Sequence, residues 1–351
     1  MTTNPAGIDF AVELHAAWLS GGAIMPQQPG TDPVRCAAPD DLPDRTLAVM
    51  QTSGTTGEPR PVCLTRAHFE ESARASAFAL GVEPDDRWLC CLPVHHVGGL
   101  SIFTRSALYG TTVYAEPRFD AARVKDLLEA GEVTMVSLVP TMLIRLRERG
   151  FERAPNLRTI LLGGGSIPDE LFEWAVGAGL PVRATYGMTE TCSQIATADV
   201  GARLARPLPG AEMAIAGDGE ILVRGPMVAA DGWLHTGDRG SLTRDGRLEV
   251  QGRMDDLIVT GGENVAAQEV EAVLLAHPGV SDAAVIGVED AEWGRAVTAF
   301  VVATATVPDI DAHVRAHLPG FKAPKRIIQV EELPRTASGK VWRAQLESRA
   351  R

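Results

Sequence analysis

The sequence predicts a large N-terminal α/β domain followed by a small α+β C-terminal domain. From Leu47 onward, apolar runs typical of strands alternate with stretches of helical periodicity, which favours a mainly parallel sheet. After Gly210 the pattern changes to short alternating runs joined by Asp-Gly turns, which predicts hairpins. A third pattern covers roughly 95 residues after Arg253, a reasonable size for one domain. We therefore expect domains at residues 1–253 and 254–351.

The individual elements follow from hydrophobic periodicity and turn residues. Predicted helices share an apolar face and cover residues 10–19, 68–80, 121–130, 142–149, 169–177, 268–275 and 310–317. Predicted strands are short apolar runs and cover residues 46–50, 88–94, 133–140, 159–164, 283–288, 296–302 and 326–330. Asp-Gly turns predict one hairpin within residues 211–225 and another within residues 241–253.

Composition narrows the class of protein. The chain has 33 basic and 45 acidic residues and a net charge of −12, which argues against a general binder of nucleic acid or anionic membranes. Its five cysteines show no C-x-x-C spacing, as expected for a reducing cytoplasm rather than for disulfides or zinc. We find neither a signal-peptide pattern nor an apolar run of membrane-spanning length. These features predict a cytoplasmic protein.

Residues 52–60, TSGTTGEPR, follow a strand-like run and are the most informative stretch. Gly54 and Gly57 allow positive φ and close approach to a ligand, and successive backbone N–H groups in such a turn bind anions. Arg60 adds a cation. Further donors come from four hydroxyl side chains, Thr52, Ser53, Thr55 and Thr56. The segment predicts a polyphosphate site without P-loop spacing; the alternative is a flexible surface loop.

TSGTTGEPR resembles the phosphate-binding loop of the adenylate-forming superfamily of acyl-CoA synthetases, peptide-synthetase adenylation domains and luciferases. Other segments resemble further motifs of that superfamily in the same order: LLGGGSIP (161–168), YGMTE (186–190), WLHTGD (233–238), GRMDD (252–256) and PRTASGK (334–340). The resemblance implies a large domain of layered sheets and helices that binds AMP, here shortened at its N-terminus to residues 1–253. It also implies a small mobile domain, residues 254–351.

The resemblance also implies an ATP site. Tyr186 would lie against adenine, Thr189 would contact phosphate, and Glu190 would bind Mg²⁺, as an aromatic ring, a hydroxyl and a carboxylate can do. Asp238 and Arg253 would flank the ribose. The residues so assigned to ATP are Thr52, Ser53, Gly54, Thr55, Thr56, Gly57, Arg60, Gly164, Gly165, Tyr186, Gly187, Met188, Thr189, Asp238 and Arg253. As isolated residues, Asp238 and Arg253 would be read as surface charges.

Two successive reactions are implied for the small domain. Lys340 would be the catalytic lysine that contacts the acyl carboxylate and the α-phosphate during adenylation. Rotation about a hinge at Asp255 would then bring Gly261, Gly262 and Glu263 toward the site for thioester formation with coenzyme A. The implied activity is that of an ATP-dependent acid–thiol ligase.

The acid is predicted from fewer residues. LPVHHVGGL (92–100) resembles the segment that gates the acyl site, with His96 at the gate and in contact with the reacting acid, while His95 is equally well read as structural. Gly163 would form one wall of the acyl site. SLVPTM (137–142) resembles a stretch typical of o-succinylbenzoate–CoA ligases of menaquinone (vitamin K2) synthesis, for which Ser137 and Thr141 are polar contacts. Both could equally be satisfied strand-end hydroxyls.

Alternatives remain open at this stage. The chain could be another aryl- or acyl-CoA ligase, a free-standing adenylation enzyme that loads a carrier protein, or a non-catalytic nucleotide sensor. The implied partners are a small carboxylic acid, ATP, Mg²⁺ and coenzyme A; no nucleic acid is expected, and a homodimer is left open. The phosphate loop departs from the superfamily pattern, because Arg60-Pro61 stands where Lys-Gly is usual. That exchange retains the positive charge but removes one backbone N–H.

Overall fold

The computed structural model describes residues 5–28, 42–53, 59–254, 256–335 and 341–350. The chain divides into two compact units. The large unit comprises residues 1–236 and 240–250, and the small unit comprises residues 237–239 and 251–351. The domain boundary and the hinge near Asp255 stay predictions. Among the described residues, no helix is both long and apolar enough to cross a membrane.

The described residues form helices and strands throughout both units. The helices are α1 Ile8–Ser20, α2 Arg66–Leu80, α3 Val97–Tyr109, α4 Ala121–Glu129, α5 Pro140–Glu148, α6 Asp169–Gly177, α7 Ala267–Leu275, α8 Val307–His317 and α9 Arg343–Ala350. The strands are β1 Thr46–Ser53, β2 Pro59–Thr65, β3 Arg87–Cys90, β4 Thr112–Ala115, β5 Met135–Leu138, β6 Thr159–Leu162, β7 Val182–Met188, β8 Ser193–Thr197, β9 Arg206–Pro207, β10 Glu212–Ile215, β11 Glu220–Arg224, β12 Leu234–Leu242, β13 Leu248–Arg253, β14 Leu257–Thr260, β15 Glu263–Ala266, β16 Val280–Asp290, β17 Gly294–Ala303 and β18 Arg326–Gln329.

A seven-stranded sheet forms the centre of the large unit, in the order β4-β3-β5-β6-β7-β8-β9. The strands from β4 to β7 are parallel, whereas β8 and β9 are antiparallel to their neighbours. Val136 packs with α4, α5 and α6 on one face, and Met135 packs with α1, α2 and α3 on the other. Successive residues of a strand point to opposite faces, so a sheet covered on both sides needs continuous apolar runs. The predicted mainly parallel sheet is confirmed.

Three hairpins flank the strands of this sheet along the chain, one before them and two after. β1 pairs with β2, and the predicted Asp-Gly hairpins are β10–β11 and β12–β13 within a four-stranded sheet. The small unit contains a five-stranded sheet, β15-β14-β17-β16, with β18 parallel to β17. Its apolar residues pack against α7 and α8 in one cluster and against α9 in another. The small unit therefore has the predicted α+β fold.

Two local differences from the sequence prediction concern the site. The helix α3 was not predicted, because Gly98 and Gly99 suggest a loop. Gly99 instead allows a close approach, since a Cβ there would lie 2.4 Å from the Pro93 carbonyl oxygen. The strand β5 is shorter than predicted because Pro140 occupies the first turn of α5, where its missing N–H costs nothing.

Candidate nucleotide and acyl site

Four of the predicted segments lie at the carboxyl ends of four neighbouring parallel strands, β3, β5, β6 and β7. The His96 segment follows β3, and residues 137–141 lie at the end of β5. Gly163–Gly165 follow β6, and residues 186–190 lie at the end of β7. Ligands of open α/β sheets bind at this edge. The fold thus places four separately predicted segments side by side.

The triple glycine after β6 allows backbone packing that a side chain would block. A Cβ on Gly163 would lie 2.6 Å from the carbonyl oxygen of Thr185 on the adjacent strand β7. Gly164 has a φ of +75°, which glycine adopts without strain. Gly164 and Gly165 are exposed. The segment offers bare backbone beside the ends of β5 and β7, as a flat ligand requires.

The turn after β7 is tightly constructed. A Cβ on Gly187 would lie 1.9 Å from the Ser193 carbonyl oxygen, so only glycine fits without a backbone shift. Cys192 and Ser193 have φ values of 52° and 87°, which non-glycine residues rarely adopt. Thr191 fixes the turn, since its Oγ1 accepts from Met188 N at 2.9 Å and its hydroxyl lies 2.6 Å from the Ser193 carbonyl oxygen. Such strain is concentrated at functional sites.

Tyr186 and Thr189 flank Gly187 and Met188 in this tight turn, and both are half-buried. Thr189 and Glu190 belong to a single 3₁₀ turn, Thr189–Thr191, which connects β7 to β8. The backbone oxygen of Glu190 accepts from Ala229 N at 2.7 Å. The geometry places the aromatic ring, the hydroxyl and the carboxylate within five consecutive residues on a fixed backbone.

Glu190 fits Mg²⁺ better than it fits a metal held by protein alone. Within the described ranges, no group of three or more His, Cys, Asp or Glu residues is arranged to hold a metal ion. Mg²⁺ is commonly held by one or two carboxylates together with substrate phosphates and water. Glu190 is a single half-buried carboxylate and so fits that pattern, while its binding of Mg²⁺ beside the predicted phosphate segment stays a prediction.

The phosphate segment joins β1 to β2. Residues 54–58, including Gly54, Thr55, Thr56 and Gly57, lie outside the described residues. Thr52 and Arg60 are directly opposite each other in the ladder, and the Thr52 hydroxyl donates to the Arg60 carbonyl oxygen at 3.2 Å. The side chain of Arg60 is exposed, and β2 lies against the 3₁₀ turn that carries Glu190. The fold places β2, the strand that follows the predicted phosphate loop, against the turn that carries the predicted metal ligand.

His96 and His95 lie at the start of α3. His96 is the N-cap residue and is exposed, and the centroids of the two rings are 4.5 Å apart. Burial lowers the pKa of His95, which favours the neutral ring. His96 is thus more accessible to a ligand than the half-buried His95, and its gating role stays a prediction.

The two predicted acyl contacts differ in their surroundings. Ser137 is buried, and its Oγ accepts a hydrogen bond from Trp88 Nε1 at 3.1 Å. Thr141 is exposed in the first turn of α5. The Ser137 hydroxyl therefore has a structural partner in addition to its predicted role, while Thr141 faces solvent beside Gly165.

Arg105 was missed by sequence reasoning. It lies on α3, is 1% exposed, and donates to Gln194 Oε1 at 2.9 Å and Ser72 Oγ at 3.0 Å. Its Nε has no hydrogen-bond partner in the described part of the chain, where no Asp or Glu forms an ion pair with it either. Burying a charge without a counter-ion is costly. The sequence signal is an arginine within the otherwise uncharged helix VGGLSIFTRSALY.

The small unit brings Asp238 and Arg253 together. Asp238 is 8% exposed, and Arg253 Nη1 donates to its Oδ1 at 3.0 Å. A Cβ on Gly237 would lie 2.8 Å from Arg253 Nη2, so the glycine makes room for the guanidinium. Two residues predicted to flank one ribose therefore form an ion pair; their contact with ATP stays a prediction.

The other predicted residues of the small unit are only partly described. Gly261 and Gly262 form the two-residue turn between β14 and β15, with φ values of 57° and 84°, and Glu263 follows it exposed. Positive φ at both positions is the requirement of a type I′ hairpin. A Cβ on Gly261 would lie 3.0 Å from the Trp293 ring. Asp255 and Lys340 lie outside the described residues.

Comparison with known proteins defines the class. Residues 5–231 match the family model of the AMP-binding enzyme, and residues 269–340 match that of the AMP-binding enzyme C-terminal domain. The chain belongs to the AMP-binding enzyme family. The resemblance to adenylate-forming enzymes and the predicted fold class are thereby confirmed.

The similarity extends to particular relatives. The 2-succinylbenzoate–CoA ligase of Listeria monocytogenes is 42% identical over 328 residues, which cover 87% of this chain and 70% of that protein. That of Bacillus cereus is 40% identical over 336 residues, which cover 86% of this chain and 70% of that protein.

Solved structures show the same similarity as the sequence relatives. The o-succinylbenzoate CoA synthetase of Bacillus subtilis in complex with its acyl-adenylate intermediate matches with a TM-score of 0.81 at 39% identity, covering 86% of this chain and 69% of that chain. The same enzyme in complex with ATP and magnesium ion matches with a TM-score of 0.80 at 35% identity. That match covers 95% of this chain and 81% of that chain.

Proposed function

We propose that this protein is an ATP-dependent acid–thiol ligase that adenylates 2-succinylbenzoate and transfers the acyl group to coenzyme A, a step of menaquinone synthesis. The observation that carries the proposal is the arrangement of four predicted segments at the carboxyl ends of β3, β5, β6 and β7, in a chain about 40% identical to ligases of that name. The substrates are the acid, ATP and coenzyme A.

The first step joins the acid to the nucleotide. A carboxylate oxygen of the acid attacks the α-phosphorus of ATP, and the bond to pyrophosphate breaks. Both reactants are anionic, so the site must supply positive charge and fixed hydrogen-bond donors. In this proposal Arg60 and the loop at residues 54–57 hold the phosphates that leave, and Lys340 draws the acid onto phosphorus. Magnesium ion bound by Glu190 would neutralise phosphate charge.

The second step moves the acyl group. The thiol sulfur of coenzyme A attacks the acyl carbonyl, the bond to AMP breaks, and the thiol proton is released. The glycine turn at Gly261 and Gly262 is the segment assigned to this step, because its bare backbone permits a thiol chain to approach closely. In this proposal Lys340 and the glycine turn therefore act in different half-reactions.

A second carboxylate distinguishes 2-succinylbenzoate from simple acids. Arg105 is the candidate for recognising it, because it is a fully buried cation whose Nε has no partner in the described chain. Its helix α3 begins at His96, the predicted acyl gate. A bound carboxylate would offset the cost of the uncompensated charge.

The test is pyrophosphate release with matched acids, with and without coenzyme A. We expect 2-succinylbenzoate to be the preferred acid over benzoate, which lacks the succinyl side chain, and the product to be a thioester of free coenzyme A. Arg105→Met should raise the KM for 2-succinylbenzoate by roughly 10-fold or more, the worth of a hydrogen bond to a charged group. It should leave the KM for ATP unchanged.

Three outcomes would redirect the proposal. Activity with another acid, and none with 2-succinylbenzoate, would retain the ligase class and reject the substrate. Adenylation without thioester formation from free coenzyme A would favour an enzyme that loads a carrier protein. Absence of pyrophosphate release with every acid would favour a nucleotide sensor.

A further inference from the structure

An arginine in the small unit bridges two carboxylates from different elements. Arg343, the first residue of α9, places Nη2 2.7 Å from Glu271 Oε1 on α7. Its Nε lies 3.5 Å from Asp256 Oδ1, just before β14. All three side chains are half-buried or more deeply placed, with exposed fractions of 34% for Arg343, 16% for Glu271 and 14% for Asp256. This cluster is called the Arg343 bridge below.

The bridge is more constrained than the ion pairs on the surface of the unit. Glu271 Oε1 also accepts from the backbone N–H of Val285 at 2.8 Å, so its position is fixed by β16 as well. Burial raises the pKa of Glu271, nearby Asp256 raises it further, and Arg343 opposes both. The two carboxylates therefore repel each other, and Arg343 is the cation that holds them together. Nη2 donates a hydrogen bond to Glu271, whereas Nε makes no hydrogen bond in the described part of the chain and faces Asp256 as an ion pair at 3.5 Å.

The three residues occupy chain positions that matter for the chemistry. Asp256 directly follows the predicted hinge residue Asp255, and Arg343 is three positions after Lys340. The chain just before Arg343 is also tied down, since Trp342 N donates to the Pro334 carbonyl oxygen at 2.7 Å and Val341 forms a bridge with Arg335. Leu346 of α9 is fully buried. The described chain that follows Lys340 is thus attached to the residue next to the hinge.

We propose that Arg343 is a positioning residue for adenylation: by bridging Asp256 and Glu271 it anchors residues 341–343, the described chain that directly follows Lys340. The inference rests on the proposed function for the role of Lys340, and on described residues alone for the bridge. Lys340 acts by contact with the acid and the phosphate, so a small displacement of its backbone weakens the step it serves. A misplacement of about 1 Å can cost roughly 100-fold in rate. Thioester formation does not use Lys340 and is not affected.

The experiment measures the two half-reactions in variants of the full chain. ATP–pyrophosphate exchange reports adenylation, and thioester formation from supplied acyl-adenylate and coenzyme A reports transfer. Arg343→Met should lower the turnover of exchange by roughly 100-fold at saturating substrates. It should leave the KM for ATP and the rate of transfer within about 3-fold, the usual context-dependent scatter. Arg343→Lys, which retains the charge without the fork, should recover part of the exchange.

A double variant separates positioning from simple destabilisation. Arg343→Met leaves two carboxylates in repulsion, which lowers the melting temperature. Arg343→Met with Glu271→Gln removes that repulsion, so the melting temperature should rise again while exchange stays low. Arg315→Met is the matched control, because Arg315 pairs with Asp311 on the surface of α8 in the same unit. Its half-reactions should match those of the unsubstituted chain.

Three results would overturn the inference: equal loss of both half-reactions in Arg343→Met, unchanged exchange, or recovery of exchange in step with the melting temperature in the double variant. Failure of the proposed substrate has a different signature. In that case the unsubstituted chain shows no exchange with 2-succinylbenzoate, and the variants are compared with the acid that does support exchange. If no acid supports exchange, the inference and the proposed function both fall.

Discussion

The large and small units hold their predicted functional residues in different ways. In the large unit the residues lie at the ends of parallel strands whose side chains are buried on both faces, as in β5 and β6. In the small unit Gly261 lies on a two-residue turn, whereas Asp238 lies within β12 and Arg253 at the end of β13. Sites on strand ends are held more precisely than sites on loops. The difference is consistent with the proposed function, in which the large unit holds the nucleotide and the acid while Lys340 and the glycine turn serve separate steps.

This comparison leads to a division of labour. Substitutions at the sheet edge should impair both half-reactions, because in the proposed function the adenylate is formed and consumed there. Substitutions at Lys340 and at the glycine turn of the small unit should each impair one half-reaction. Four substitutions test whether a residue serves both half-reactions or only one.

The largest effect is expected for Lys340→Ala. Adenylation should fall by 10³-fold or more, roughly the loss produced by removing a group that stabilises charge in the transition state. Thioester formation from supplied acyl-adenylate should be retained. Full ATP–pyrophosphate exchange in this variant would break the comparison, because the small unit would then supply no group to the first step.

Gly187→Ala should impair both half-reactions. Its Cβ would lie 1.9 Å from the Ser193 carbonyl oxygen, so the turn that carries Thr189 and Glu190 must move. We expect roughly 100-fold loss of each half-reaction and about 1–3 kcal/mol lower stability from overpacking. Gly177→Ala in α6 is the control, because nothing lies within 4 Å of its Cβ. Loss of only one half-reaction would contradict the shared role of the sheet edge.

Gly261→Ala should impair transfer alone. The residue has a φ of +57°, and its Cβ would lie 3.0 Å from the Trp293 ring. Strain of about 1–2 kcal/mol, for a non-glycine residue at positive φ, predicts a loss of roughly 10-fold. The control is Gly320→Ala, which has open space for a Cβ in the same unit. A variant that loses adenylation equally would show that the turn is not specific to the second step.

Arg60→Ala should have the smallest effect of the four. Arg60 is exposed beside the predicted phosphate loop, so its removal should raise the KM for ATP by a few fold, as expected for a solvent-screened charge. Turnover at saturating ATP should change less than the KM. A large loss of turnover would rank Arg60 with Lys340 and would assign it to the chemistry rather than to binding.

The sequence predicted the strands of the sheet edge better than the side-chain contacts around it. Alternating apolar runs and short glycine-containing segments are local signals, and they located β5 and β6 correctly, whereas β7, the strand that carries Tyr186, was not predicted. The pairing of Asp238 with Arg253 depends on the hairpin that brings residues 15 positions apart into contact. Because the motif resemblance assigned both residues to one ribose, it anticipated their proximity without any geometric information.

Other features have no local signal. From the sequence, Arg105 is one charge in an apolar helix; that it forms no ion pair with the described residues is evident only once the fold places it against Ser72 of α2 and Gln194 of β8. The helix α3 was missed because the close approach of Gly99 to Pro93 is a tertiary contact. The Arg343 bridge joins residues up to 87 positions apart in sequence, and ion pairs at such separation follow only from the fold.

The most direct measurement is a crystal structure of the protein bound to a non-hydrolysable analogue of the 2-succinylbenzoyl adenylate. The account predicts the adenosine beside Gly164 and Tyr186, and the acyl group at the ends of β5 and β6 with its second carboxylate on Arg105. An analogue bound away from the carboxyl ends of the four parallel strands would contradict the account.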